Sequence, residues 1–157
     1  MSTRQFSCTV VNGLVAAPSG LVEADIGIAD GKIAGLAAGG TLGAGERVID
    51  AAGMLVLPAV VDMHVHFNDP GFPDREDFAH GTAAAAAGGV GTVVDMPLSG
   101  APAVTSVESL ELKKRAAAEC AVVDYALWGG LVDDNVAELR AMHEEGAIAF
   151  KAFTCFA

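Results

Sequence analysis

Residues Leu55–Gly71 read LVLPAVVDMHVHFNDPG. From Leu55 to His66 the run is almost continuously apolar, the composition of a strand buried on both faces, as strands of parallel sheets are. Side chains of a strand alternate between faces, so Asp62, His64 and His66 share one. Two histidines at the C-terminal end of such a strand have two readings. Side by side, two neutral imidazoles are good ligands for Zn²⁺ or a similar divalent ion. Otherwise they are core residues that need separate hydrogen-bond partners. The stretch alone leaves both open, but it sets the kind of strand and therefore the kind of sheet to expect around it.

Downstream the pattern repeats with a period of about 30 residues, the length of a βα unit. A helix is expected over Asp77–Ala87, stopped by Gly88-Gly89, and VGTVVDMP follows as a second buried strand. Thr105 and Glu108 have capping-box spacing and open a helix through about Glu119. VVDYALWGGLV is the third strand. Asn135 and Glu138 repeat the cap spacing for a helix ending at Gly146. AIAFKAFTCF is the fourth strand. Strands alternating with helices argue parallel βα units, either an open doubly wound sheet or part of a (β/α)₈ barrel. In a barrel, catalytic groups gather at the C-terminal strand ends, where the histidines lie. No G-x-G-x-x-G or P-loop pattern supports a nucleotide site.

Upstream, residues 1 to 53 read as short strands with turns. FSCTVV is followed by a turn at Asn12-Gly13, and EADIGIAD ends at the hairpin signal Asp30-Gly31. A Gly-rich loop, GGTLGAGE, precedes RVID, a turn at Gly53 and the long apolar run. The expected division is residues 1–53, part of a small all-β domain, and 54–157, an α/β unit.

The 157 residues are 52% hydrophobic and 18% charged, as in a globular chain. The formal net charge of −11, with nine scattered Lys and Arg, argues against nucleic acid or an anionic membrane as partner. Cys8, Cys120 and Cys155 form no CxxC, so reduced, cytoplasmic thiols are expected. No run of 18 apolar residues suggests a membrane span, and the N-terminal apolar run is too short and broken for a signal peptide.

Lys151 stands inside the apolar IAFKAFTC. A buried ammonium is costly, so such a lysine is paired, deprotonated or chemically altered, unless it snorkels from the strand end. A neutral amine there could also react with carbon dioxide to give a carbamate, an anionic oxygen ligand. Asp95 reads as a site carboxylate or a strand-end cap. Asn68 and Asp69 touch substrate or shape a turn. His80 and His143 read as helix-end or surface residues, and Trp128 as packing.

VLPAVVDMHVHFNDPG, GTAAAAAGGVGTVVDMPLS, DYALWGGLVDDN and EEGAIAFKAF, in this order and spacing, resemble the cyclic amidohydrolases of the amidohydrolase superfamily. These include allantoinases, dihydroorotases and hydantoinases or dihydropyrimidinases. GKIAGLA and VIDAAGMLVLP are similar to their small β-domain. The blocks look most like allantoinases. Asn68 stands where dihydroorotases typically carry an Arg. Phe72 and Arg75 replace the Arg and Trp usual in allantoinases, Ser99 a common Asn, and Gly91 a common Thr.

The resemblance implies the first four βα units of a TIM-type (β/α)₈ barrel, preceded by part of a small all-β domain. It implies that His64 and His66 bind a metal, and that Lys151, carbamylated, bridges two divalent ions, zinc by expectation. Asn68 would contact substrate. The implied reaction is ring opening of a small cyclic ureide, allantoin to allantoate, in purine catabolism by a cytoplasmic homo-oligomer. The alternatives are dihydroorotase or hydantoinase activity, or a non-catalytic binding and assembly subunit. The family's later histidines and its proton-shuttling Asp, which are the expected catalytic groups, have no counterpart here. The chain by itself is therefore expected to be a truncated, inactive and aggregation-prone part of the enzyme.

Overall fold

A computed structural model of the chain describes residues 6–154. Two compact units are present, Met1–Pro58 and Ala59–Ala157.

The first unit is all β. Its strands are β1 (Cys8–Ala17), β2 (Gly20–Ala29), β3 (Lys32–Ala38), β4 (Arg47–Asp50) and β5 (Leu55–Val56). The order is β3-β2-β1-β4, with β5 also on β1. Asp30 and Gly31, at φ of 53° and 69°, form the tight β2–β3 turn that Asp-Gly favours. Asn12-Gly13, expected to be a turn, instead lies within β1. Asn12 has φ of 61°, and the β1–β2 register shifts between Val10 and Gly13. The Asn12 N–H donates to the buried Asp25 carboxylate at 3.1 Å, which stabilises a bulge where a turn would otherwise form. The bulge separates two parallel partners of β1: residues 8–11 pair with β4, residues 14–15 with β5. Val15, Ala24 and Ile26 form the small core.

The apolar run quoted above is divided. Leu55–Val56 belongs to the first sheet, and the second sheet starts at β6 (Val60–Val65). Between them is Pro58, which has no N–H for a ladder. Nor is β6 buried on both faces: Val60, Val61 and Met63 are about half exposed. Among the described residues, β6 has a strand neighbour on one side only.

The second unit continues with α1 (Phe78–Ala87), β7 (Val90–Asp95), α2 (Val107–Cys120), β8 (Asp124–Gly130), a 3₁₀ turn (Val136–Glu138), α3 (Leu139–Glu144) and β9 (Ala147–Lys151). The sheet order is β6-β7-β8-β9, every pair parallel. Four parallel strands with helices between them form the opening part of a TIM-type barrel, as expected, preceded by an all-β unit.

Asp77 caps α1 by accepting the His80 N–H, and Gly88 ends it. The cap of α2 is Ser106, not Thr105: Ser106 and Ser109 each accept the other's backbone N–H. Asn135 makes no side-chain cap. Its amide donates to the carbonyls of Thr105 and Gly130 and accepts from Val132 N–H, so it ties loops together. The core lies between the sheet and the helices: Phe67, Phe78, Val93, Val104, Leu110, Ala117, Leu127, Met142 and Ala147. The fourth strand, expected to reach Phe156, ends at Lys151; Cys155 and Phe156 lie outside the described residues, as do residues 1–5.

Candidate metal centre

Val65 and Phe67 pack against the helix-side core. His64 and His66 alternate with them and so face the other side of the sheet. On β9, Phe150 packs against the same core, and Lys151, one residue on, also faces away from the helices. Three parallel ladders bring these strand ends level. The Lys151 Nζ lies 3.3 Å from His64 Nε2, although 87 residues separate them in sequence. His64 Nε2 lies 3.2 Å from His66 Nε2.

His64 Nε2 therefore has two nitrogen neighbours at bonding distance. A ring nitrogen carries either one hydrogen or one lone pair, so hydrogen bonding alone satisfies one neighbour and leaves the other without a bond. Three nitrogen donors crowded in this way suit a shared cation. Burial, then the nearby His64, Lys151 and Lys113 charges, push the His66 pKa down, favouring the neutral ring that a metal requires. Among the described residues, no group of three His, Cys, Asp or Glu assembles, so the set is two histidines and a lysine.

Asp62 does not join them by any hydrogen bond. Its carboxylate accepts the backbone N–H of His64 at 3.1 Å, a local Asx-type contact. Asn68 closes the loop after β6 through its backbone, donating to Glu76 O at 3.0 Å and accepting from Phe72 N at 2.7 Å. Burial and the Asp77 charge push the Asp69 carboxyl up. The Arg75 guanidinium lies 4.7 Å from the centre of the Phe72 ring, so the two departures from the allantoinase pattern contact one another. Gly91 is explained sterically: a Cβ there would sit 2.6 Å from the Ala59 Cβ. The Ser99 hydroxyl is buried without a hydrogen-bond partner among the described residues. Trp128 is more than packing, since its indole N–H donates to Met63 O at 3.2 Å and so crosses β7 to reach the edge strand. His80 pairs with Asp77 at the start of α1, and His143 Nδ1 lies 3.2 Å from Ala147 O.

Asp95 is fully buried and pairs with Lys113, also buried. Its other oxygen accepts the Phe67 N–H at 2.8 Å. Burial pushes its carboxyl up, against the opposing effects of Lys113 and the backbone N–H groups. Sequence reasoning missed Lys113. The available signal was its place on the buried stripe of α2 with Leu110 and Ala117, where a lysine needs a partner.

The model of the dihydro-orotase-like family matches residues 53–155. The chain belongs to this family. Its relatives include the allantoinase of Rubrobacter xylanophilus, 47% identical over 145 residues, 92% of this chain and 32% of that protein. The allantoinase of Solibacter usitatus is 42% identical over 93% of this chain and 32% of its own length. Among solved structures, the L-hydantoinase (dihydropyrimidinase) of Arthrobacter aurescens superposes with a TM-score of 0.90 at 36% identity, over 98% of this chain and 34% of that one. This dihydro-orotase-like chain thus spans about a third of the length of the curated relatives it matches. Among its described residues, no helix is long and apolar enough to cross a membrane.

Proposed function

We propose that the protein is a metal-dependent cyclic amidohydrolase, and that His64, His66 and Lys151 are the metal ligands this chain contributes. The observation that carries the reading is the meeting of His64 Nε2, His66 Nε2 and Lys151 Nζ at the strand ends. When bound, divalent ions such as zinc polarise an amide carbonyl and lower the pKa of bound water to about 7. The chain's own part is to present donors. His66 offers a neutral ring. The Lys151 amine would add to the carbon of carbon dioxide and lose a proton, and the resulting carbamate would offer two oxygens sharing one negative charge as metal ligands. The Asn68 amide, both donor and acceptor, matches the adjacent N–H and C=O groups of a cyclic ureide. Water adds across one ring C–N bond, giving an N-carbamoyl acid.

Allantoin is the substrate we favour, on the likeness to allantoinases; the hydantoinase likeness makes hydantoins the second choice. The reading includes a cytoplasmic homo-oligomer. The test uses the complete gene product. Zinc content is measured for wild type and His64→Ala, with ring opening assayed on allantoin, dihydroorotate and hydantoin. Wild type should hold metal and favour allantoin, and His64→Ala should lose at least tenfold in both metal and rate. Equal metal content in the two proteins would remove the centre, and a preference for hydantoin would transfer the substrate assignment.

A further inference from the structure

Strand β6 ends at Val65, so the residues that follow have no regular ladder to hold them. Two bonds replace it. Met96 N–H donates to Val65 O at 2.9 Å, and Phe67 N–H donates to Asp95 Oδ1 at 2.8 Å. The second bond orients the peptide plane between His66 and Phe67, and with it the backbone that carries the His66 ring. Asp95 is itself held from α2. The Lys113 ammonium pairs with its other oxygen and donates to Met96 O at 2.9 Å. Asp95 is 0% exposed and Lys113 1%.

A buried ion pair is poor evidence for stability, because an apolar pair of similar volume often does as well or better. This pair has a use that an apolar pair lacks, an acceptor aimed at the amide next to a candidate ligand. We infer that Asp95 and Lys113 are positioning residues that hold His66 in place for the metal centre. The inference rests on the proposed metal site for its purpose, but its geometry is independent of it.

Two double variants of the complete gene product test it. Asp95→Asn with Lys113→Gln keeps an acceptor for Phe67 N–H in a neutral amide pair. Asp95→Leu with Lys113→Met removes the acceptor. Cobalt(II) affinity and visible spectrum are measured, with melting temperature and the His66 ring NMR shifts of the metal-free proteins. The Leu/Met variant gains apolar packing but leaves the Phe67 N–H unpaired, so it should melt within a few degrees of wild type, bind cobalt about 10- to 100-fold more weakly, and show shifted His66 resonances. The Asn/Gln variant should recover cobalt affinity to within about threefold of wild type, with the wild-type spectrum. Unchanged affinity, spectrum and His66 shifts in a folded Leu/Met variant would overturn the inference. If wild type binds cobalt no better than His64→Ala, the metal reading fails, and the metal-free His66 shifts still decide the positioning. If the Leu/Met variant does not fold, hydrogen exchange of the wild-type Phe67 amide decides: slow exchange supports the Asp95 bond, and exchange as fast as in an open loop overturns it.

Discussion

His64 Nε2 lies between His66 Nε2 at 3.2 Å and Lys151 Nζ at 3.3 Å. With protons alone, the arrangement is over-supplied with donors or short of lone pairs, whichever tautomer is chosen. The proposed carbamylation of Lys151 would change the balance by removing an ammonium and adding oxygens of opposite charge. Metal uptake by the complete gene product should therefore rise when bicarbonate is added to carbonate-depleted protein, and Lys151→Met should show neither the uptake nor the dependence. Bicarbonate-independent uptake in wild type would sink the carbamate while leaving the histidines as ligands. A second residue-scale prediction concerns pH. The hydrogen bond to Asp77, then its charge, raise the His80 pKa above the ordinary 6.5. Bonds from the His80 backbone N–H and then its ring lower Asp77 below 3.8. A raised histidine stabilises fully below 6.5 and loses that contribution as pH rises through its folded value. A lowered aspartate stabilises above 3.8 and loses its contribution as pH falls through its folded value. The pair thus supports the start of α1 between those two limits. An NMR titration of the His80 ring should give a midpoint above 6.5 in wild type and nearer 6.5 in Asp77→Asn; identical midpoints would show that the contact is not made in solution.

Gly81 lies inside α1, where alanine would favour the helix by about 1 kcal/mol. Two effects compete there, because a Cβ at Gly81 would overlap the buried Phe67 ring. That ring has little room to yield, since it packs edge-on against Phe78 with centroids 5.2 Å apart. Overpacking of this kind costs about 1–3 kcal/mol, so the clash should win. Urea unfolding of Gly81→Ala should show a net loss of about 1–2 kcal/mol, and a gain would mean the ring moves aside freely. Elements of this sort were legible where local pattern decides them: α1 from its Asp and Gly-Gly bounds, the β2–β3 turn from Asp-Gly, the strands from apolar runs. Reading failed where a distant group made the choice. Asn12-Gly13 has turn geometry, but Asp25, thirteen residues on, makes it a bulge. Asn135 has cap chemistry, but Thr105, thirty residues back, takes its amide. In TSVES both Thr105 and Ser106 can cap, and spacing alone does not choose between them. The candidate metal centre was legible because strand alternation puts His64, His66 and Lys151 on one side of a parallel sheet. Asp62, assigned to that face by the same alternation, accepts a bond from its own strand's backbone, and Lys113 is defined only by its partner Asp95 on another element.

Across the whole chain, 20 acidic residues face nine basic ones. Several of the bases are already engaged: Lys113 with Asp95, Lys114 with Glu111 and Glu145 O, and Arg140 with Glu144 at 3.7 Å. With a formal net charge of −11, the folded state carries a self-repulsion that the expanded chain relieves. Added salt has two opposite effects. It weakens exposed pairs such as Arg140–Glu144, worth about 0–1 kcal/mol each. It also screens the repulsion, as the Debye length falls from about 30 Å at 0.01 M to about 3 Å at 1 M. The repulsion involves many more groups than the surface pairs do, so it should dominate. The melting temperature should therefore rise by a few degrees between 10 mM and 500 mM sodium chloride, a range chosen to act mainly through screening. The rise should shrink as pH is lowered towards 4.5, near the sequence pI, where carboxylates take up protons and the surplus disappears. A fall in melting temperature with salt at pH 7 would mean that the surface ion pairs outweigh the net charge.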